Sequence, residues 1–199
     1  MELIPFSGIQ IVDFEIDLSR LHKPRKKFIL KKKGILVLSH VTYKSSYRYP
    51  MIEVNRFCKE NDIIVIWDLS HSIGAIDINM SKNELNYAIG CTYKYLNGGP
   101  GSPAFIYVRK TEIDKLKSPI RGWFSHNNPF NFSEKYEESS SMNKFSNGTP
   151  HILSLSSLKT SLDITMDAST KKLENKSEKL FNFFLTIYKE DLEILNFKL

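Results

Sequence analysis

Cysteine is scarce in this chain. Its 199 residues hold two, Cys58 and Cys91, which form neither a disulfide framework nor a CxxC pair and suit a reducing compartment. Long apolar runs are missing as well. The most apolar stretch, IIVIW at 63–67, is far too short to span a bilayer. The opening MELIPFSGIQ has no basic region followed by an apolar one, so no secretion signal is expected and a soluble, cytoplasmic protein is. No G-x-S-x-G occurs, which argues against a serine hydrolase of the nucleophile-elbow type. The glycine-rich NGGPG at 97–101 is followed by no Lys-Ser/Thr, so it is not a nucleotide P-loop. The five histidines lack the spacing of metal ligands, so no metal is expected.

Acidic residues are absent from one segment. HKPRKKFILKKK, at 22–33, holds seven of the 28 Lys/Arg, leaving 21 basic against 22 acidic residues elsewhere. The net charge of +6 is therefore one local run and not a property of the whole domain. It reads as a solvated, lysine-rich loop or hairpin. A non-catalytic binding module using the run is the alternative, but zinc-finger spacing, an RNA-binding aromatic signature and a basic heptad helix are all missing. Nucleic acid is not an expected partner.

What is present is alternation of strand and helix signals. GILVLSHV (34–41), DIIVIWDLS (62–70), LNYAIGC (85–91) and PAFIYVRK (103–110) read as buried strands, and MIEVNRFCKEN (51–61) has near-helical apolar spacing. Strand, helix, strand predicts a βαβ unit. The later links are too short for a helical crossover, so the fold class is α/β with a mixed, mostly parallel sheet flanked by helices. From 111 to 147 the periodicity dissolves into Asn, Ser, Gly and Pro with scattered aromatics, the signature of an ordered functional loop. After Pro150, which suits a first helical turn, HILSLSSLKTSLDITM predicts a helix packed on the sheet, with Thr149 as its N-cap. KKLENKSEKLFNFFLTIYKEDLEIL follows as a long amphipathic helix. The expected division is 1–170 for the sheet-bearing domain and 171–199 for the start of a helix leading out of it.

Two charged residues fall at strand ends. Asp68 closes the second strand and Lys94 follows the third, and open α/β sheets bind ligands beyond the carboxyl ends of their strands. Lys94 reads either as a surface charge or as a reactive amine, and the pair either as a salt bridge or as the two groups a pyridoxal phosphate enzyme needs. In that chemistry the lysine bonds to the cofactor aldehyde, while the carboxylate favours the charged form of the ring nitrogen. His71, three residues after Asp68, can orient that carboxylate or reach the ring oxygen. Tyr93 and Ser39 can place hydroxyls on the cofactor phosphate. The glycine turn is expected to let backbone pass close to Lys94.

WDLSHSIGAIDI, GCTYKYLNGGPGSPAFIYV, GWFSH and FSNGTPHILSLSSL together resemble the kynureninases, members of the aspartate aminotransferase fold group, from about Gly34 to Ile164. The resemblance implies Lys94 as Schiff-base lysine and proton-shuttling base, and Asp68 on the ring nitrogen with His71 beside it. Ser39 and Tyr93 would contact pyridoxal 5'-phosphate, and Trp123 and Thr149 would reach the phosphate of a neighbouring subunit in a homodimer. It also implies hydrolysis of L-kynurenine, or its 3-hydroxy form, to an anthranilate and L-alanine, a step of tryptophan catabolism and NAD biosynthesis. The related cysteine desulfurases, the alternative on the same fold, would show Gln at His71 and Ser-His before the lysine. This chain has Tyr93 there.

The kynureninase pattern is incomplete. The family's phosphate cup, ring-stacking aromatic and second aspartate have no counterpart before Ser39, and its carboxyl-terminal small domain with a substrate-gripping arginine would lie beyond Leu199. The chain is accordingly expected to be inactive alone, either completed by a complementary fragment or a remnant.

Overall fold

The computed structural model describes residues 34–195, so the basic run at 22–33 lies outside the described residues. Four strands form the sheet: β1 (Gly34–Ser39), β2 (Ile63–Asp68), β3 (Tyr87–Gly90) and β4 (Phe105–Val108), in the spatial order β1-β2-β3-β4. The first three run parallel and β4 is antiparallel to β3. Chain geometry accounts for this. A parallel neighbour needs a crossover of about a dozen residues or more. Helix α1 (Met51–Glu60) provides one between β1 and β2, and the turn-rich residues 69–86 provide the next. Residues 91–104, between β3 and β4, are also long enough for a crossover, but they fold into turns around NGGPG and the chain reverses.

Helix α1 covers one face of the sheet. Trp67, Leu69, Leu85 and Ala88 are buried there with Tyr49 and Met51, and Leu38, Val65 and Tyr107 pack against them. Asn55 ties this layer together: its Oδ1 accepts from Trp67 Nε1 at 2.8 Å, and its Nδ2 donates to the Asn83 carbonyl. Cys58 lies in the same layer, where burial pushes its thiol up to about 11. The strands are buried on one face only, where the sequence predicts buried strands. Val37, Ile64, Ile89 and Ile106, on the opposite face, are all exposed, because α1 shields only the residues that alternate with them.

The segment after β4 is ordered as expected, by four short 3₁₀ turns at Lys110–Lys115, Trp123–Ser125, Pro129–Asn131 and Met142–Phe145. Two helices follow, α2 (Ile152–Ala168) and α3 (Thr170–Ile194), meeting at Ser169, whose φ of 64° breaks the helical path. The N-cap of α2 differs from expectation. His151 holds it, with Nδ1 accepting from the Ser154 N–H at 3.3 Å, because the imidazole supplies the acceptor and leaves Pro150 and Thr149 outside the helix. Helix α2 also seats on the glycine turn: Ser157 Oγ donates to the Gly98 carbonyl at 3.3 Å, and Leu158 is buried beside it. Helix α3 buries none of its residues but is latched at its start. Glu174 accepts from Arg48 at 2.7 Å and from the Asp77 N–H at 3.1 Å. No described helix is long and apolar enough to cross a membrane.

Candidate active site

The carboxyl ends of β1, β2 and β3 lie side by side, since Ser39 is in register with Asp68 and Asp68 with Ile89. Asp68 is held on both oxygens: Oδ1 accepts from the Ser70 N–H at 2.9 Å and Oδ2 from Ser39 Oγ at 3.4 Å. The carboxylate has acceptors only. These donors therefore fix its plane while it remains partly exposed.

The chain next turns tightly. The N–H groups of Ser72 and Ile73 both donate to the Leu69 carbonyl at 2.9 Å, and buried Ser72 Oγ donates to the same oxygen at 3.3 Å. Gly74 allows the turn to close, at φ 86° and with the Tyr95 carbonyl in the space a Cβ would fill. Ser70 Oγ accepts from the Cys91 N–H at 3.1 Å, fastening the turn after β2 to the segment after β3. His71 is thereby brought to Lys94, with Nε2 at 2.6 Å from Nζ. The Lys94 ammonium also lies 5.6 Å from the centre of the Tyr93 ring.

Thr92 anchors the loop that carries Lys94. Buried, it donates through Oγ1 to the Pro103 carbonyl, lies 2.8 Å from Ser102 Oγ, and its own carbonyl accepts from the Gly98 N–H at 3.0 Å. The glycines behave differently from expectation. Gly99 and Gly101 stand at φ 79° with nothing within 4 Å of a would-be Cβ, so backbone conformation and not close approach requires them.

The structure therefore brings Ser39, Asp68, His71 and Lys94 to one edge. His71 bonds to Lys94 and Ser39 to Asp68. Tyr93 is half-exposed beside them. Trp123 and Thr149 stand elsewhere. Trp123 packs edge-on against Phe124 and Phe130, with ring centres 4.7 and 5.9 Å away. Gly122 lies against the backbone of Asn147, which draws the Trp123 turn beside the strand of chain leading to Thr149. Among the described residues, no hydrogen bond or ring contact joins either residue to Lys94 or Asp68. Sequence reasoning missed Ser70 and Thr92, whose position two residues after the carboxylate and two before the lysine was the available signal.

Behind Ser39, His40 is 2% exposed and edge-on to Trp67, with ring centres 6.0 Å apart, and its Nδ1 has no partner. Burial above all, and then the Arg48 charge, lowers it to about 4, against an opposing pull from Glu174.

Comparison with known proteins places these features in context. The model of the family "Aminotransferase class-V" matches residues 2–193. The chain is 36% identical over 157 residues to a kynureninase of Pseudomonas fluorescens, covering 79% of this chain and 38% of that protein. It is 36% identical over 154 residues to a kynureninase of Deinococcus radiodurans, covering 77% and 38%. The chain thus spans about two fifths of the length of these curated relatives. Among solved structures, an apo cysteine desulfurase from Thermococcus onnurineus NA1 superposes with a TM-score of 0.64 at 19% identity, over 78% of this chain and 38% of that one, a likeness of fold.

Proposed function

The chain belongs to the aminotransferase class-V family, and from that premise we propose that it carries the lysine-bearing part of a pyridoxal 5'-phosphate enzyme of the kynureninase kind. One observation carries the reading: Asp68, fixed on both oxygens, closes β2, and Lys94, paired with His71, follows the neighbouring parallel β3 at the same carboxyl end of the sheet. The donor set fits the cofactor, with an amine for its aldehyde and an acid for its ring nitrogen. When bound, pyridoxal 5'-phosphate supplies that aldehyde and a ring that accepts electrons released as a substrate bond breaks.

The chain's own groups do the rest. Lys94 Nζ holds the cofactor and later takes and returns the proton at the substrate α-carbon. Asp68, oriented by Ser39 and Ser70, would pair with the ring nitrogen of the cofactor. His71 fixes Lys94. Tyr93, half-exposed beside the amine, and Ser39 line the cofactor site. Trp123 and Thr149, exposed and without contacts to their own chain's Lys94, serve the site of a second copy in a homodimer. Residues 1–170 belong to the cofactor-holding domain, and 171–199 lead out of it.

The substrate is an amino acid of the kynurenine class, cleaved hydrolytically to an anthranilate and L-alanine. His71 and Tyr93 favour this over a desulfurase, whose resemblance called for Gln and Ser-His. The test is covalent capture: chain incubated with pyridoxal 5'-phosphate, reduced with borohydride and mapped by mass spectrometry. Modification concentrated on Lys94, lost in K94A and weakened at least tenfold in D68N, is the expected result. Modification scattered over exposed lysines, indifferent to D68N, would sink the reading. Products from kynurenine and from cysteine, assayed with the chain completed by a complementary fragment, then separate the two chemistries.

A further inference from the structure

A glycine after asparagine leaves the peptide nitrogen unshielded by any side chain, open to the asparagine carboxamide. The chain holds two such pairs, Asn97–Gly98 and Asn147–Gly148, and the fold treats them in opposite ways. In the first, Asn97 stands at φ 56° and its Nδ2 donates to the Tyr95 carbonyl at 3.3 Å. The Gly98 N–H donates to the Thr92 carbonyl at 3.0 Å, and Gly98 is buried, with Ser102 and Leu158 where a Cβ would stand. Nitrogen and carboxamide are both committed elsewhere. In the second pair both residues are exposed, and nothing lies within 4 Å of a Cβ built on Gly148. Among the described residues, neither the Asn147 carboxamide nor the Gly148 N–H makes a hydrogen bond.

We propose that Asn147–Gly148 is a self-modification site, where water converts the asparagine to aspartate and isoaspartate. The Gly148 nitrogen loses its proton to hydroxide and bonds to Asn147 Cγ. The Cγ–Nδ2 bond breaks, ammonia leaves, and an imide ring closes. Water then adds to either ring carbonyl. Opening at Cγ restores the main chain and leaves aspartate. Opening at the Asn147 backbone carbon leaves isoaspartate, whose main chain runs through Cγ and is longer by a methylene. The position gives the change its consequence. The Asn147 backbone abuts Gly122, which opens the Trp123 turn, and Thr149 follows two residues on. Conversion puts a carboxylate there and, in the iso form, rebuilds the backbone that holds the turn. The pair thus sets a chemical lifetime on the segment carrying Trp123 and Thr149, whatever substrate the protein takes.

The test is controlled ageing. The purified chain is held at mildly alkaline pH, folded and in denaturant, and both Asn-Gly peptides are scored by mass spectrometry, with fragmentation that separates isoaspartate from aspartate. In the folded chain Asn147 should convert at least about tenfold faster than Asn97, since freeing the Gly98 nitrogen means breaking its bond to Thr92 and opening a buried turn. In denaturant the two should convert at similar rates. Gly148→Ala, for which the structure leaves open space, should slow Asn147 severalfold without disturbing the fold. The Ser125 N–H, bonded to the Gly122 carbonyl at 3.1 Å, should exchange faster in aged chain than in fresh, and not in aged Gly148→Ala. An Asn147 as slow as Asn97 in the folded chain, or one unmoved by Gly148→Ala, overturns the proposal. Unchanged Ser125 exchange in fully converted chain overturns the coupling to the Trp123 turn. Capture of a cofactor at Lys94 involves neither Asn-Gly pair, so the two tests fail separately.

Discussion

Two regions of this chain are held in place by opposite means. The layer formed by the sheet and α1 is ordered by apolar burial: Trp67, Leu69, Leu85 and Ala88 are at most 1% exposed. The segment from 111 to 147 buries little that is apolar. Its fully or nearly buried residues are Ser125, Ser139 and Lys144. Lys144 Nζ donates to the carbonyls of Ile113 and Leu116 at 3.2 and 3.1 Å and lies 3.7 Å from Glu138, whose other oxygen accepts from the Ser118 N–H. Ser125 Oγ bonds to the Gly122 carbonyl at 2.7 Å and lies 2.9 Å from the Tyr136 hydroxyl. One ammonium thus gathers the Leu116 carbonyl and the Ile113 carbonyl, which also accepts from the Leu116 N–H that caps the 3₁₀ turn. The first kind of order is non-directional and tolerant of sequence, while the second depends on single groups.

The comparison can be broken from either side. The largest effect is expected from Trp67→Ala. It removes a fully buried indole and the bond to Asn55, and costs about 4 kcal/mol. Denaturant unfolding should show a loss common to all probes, and a loss confined to the 111–147 segment would contradict the layered core. Acid comes next and acts on the same layer through His40. Its folded-state value of about 4 lies below the ordinary 6.5, so the unfolded chain takes up the proton first. Stability is complete above pH 6.5 and falls as pH drops from 6.5 to 4, by on the order of 3 kcal/mol. H40Q should flatten that slope in denaturation curves at pH 7.5 and 4.5. Smallest, and confined to the other region, is Lys144→Met, which takes the ammonium donor from the Leu116 carbonyl, leaves the Ile113 carbonyl with the Leu116 N–H alone and Glu138 with the Ser118 N–H alone, at about 2 kcal/mol. Hydrogen exchange should quicken at Ser125, Asn127 and Ser139, whose N–H groups bond within that segment, while β2 and β3 stay protected. Equal loss in both regions would mean that they unfold as one unit.

The two regions also differ in legibility. The apolar runs announced all four strands, because period is a property of the chain itself, while the two later links, both read as too short for a helical crossover, announced a mixed sheet without saying which strand reverses: β2 and β3 run parallel and β4 is antiparallel. Lys144 announced nothing, since a lysine between Asn143 and Phe145 looks like any solvated charge. His71 was noticed for its nearness to Asp68 in sequence and proved to face Lys94. Thr149 was the better cap by residue type, yet His151 took the position.

By itself, the sequence determined which elements form, in which order, and which chemically capable residues fall at strand ends. Those follow from side-chain periodicity and backbone preference, which act over a few residues. Only the tertiary structure decided that Ser39 binds Asp68, that His71 meets Lys94, that one sheet face is covered and the other open, and that a lysine organises the 111–147 segment. Each of these depends on distances between residues remote in the chain, and hydrogen-bond geometry at 3 Å is set by how whole elements pack.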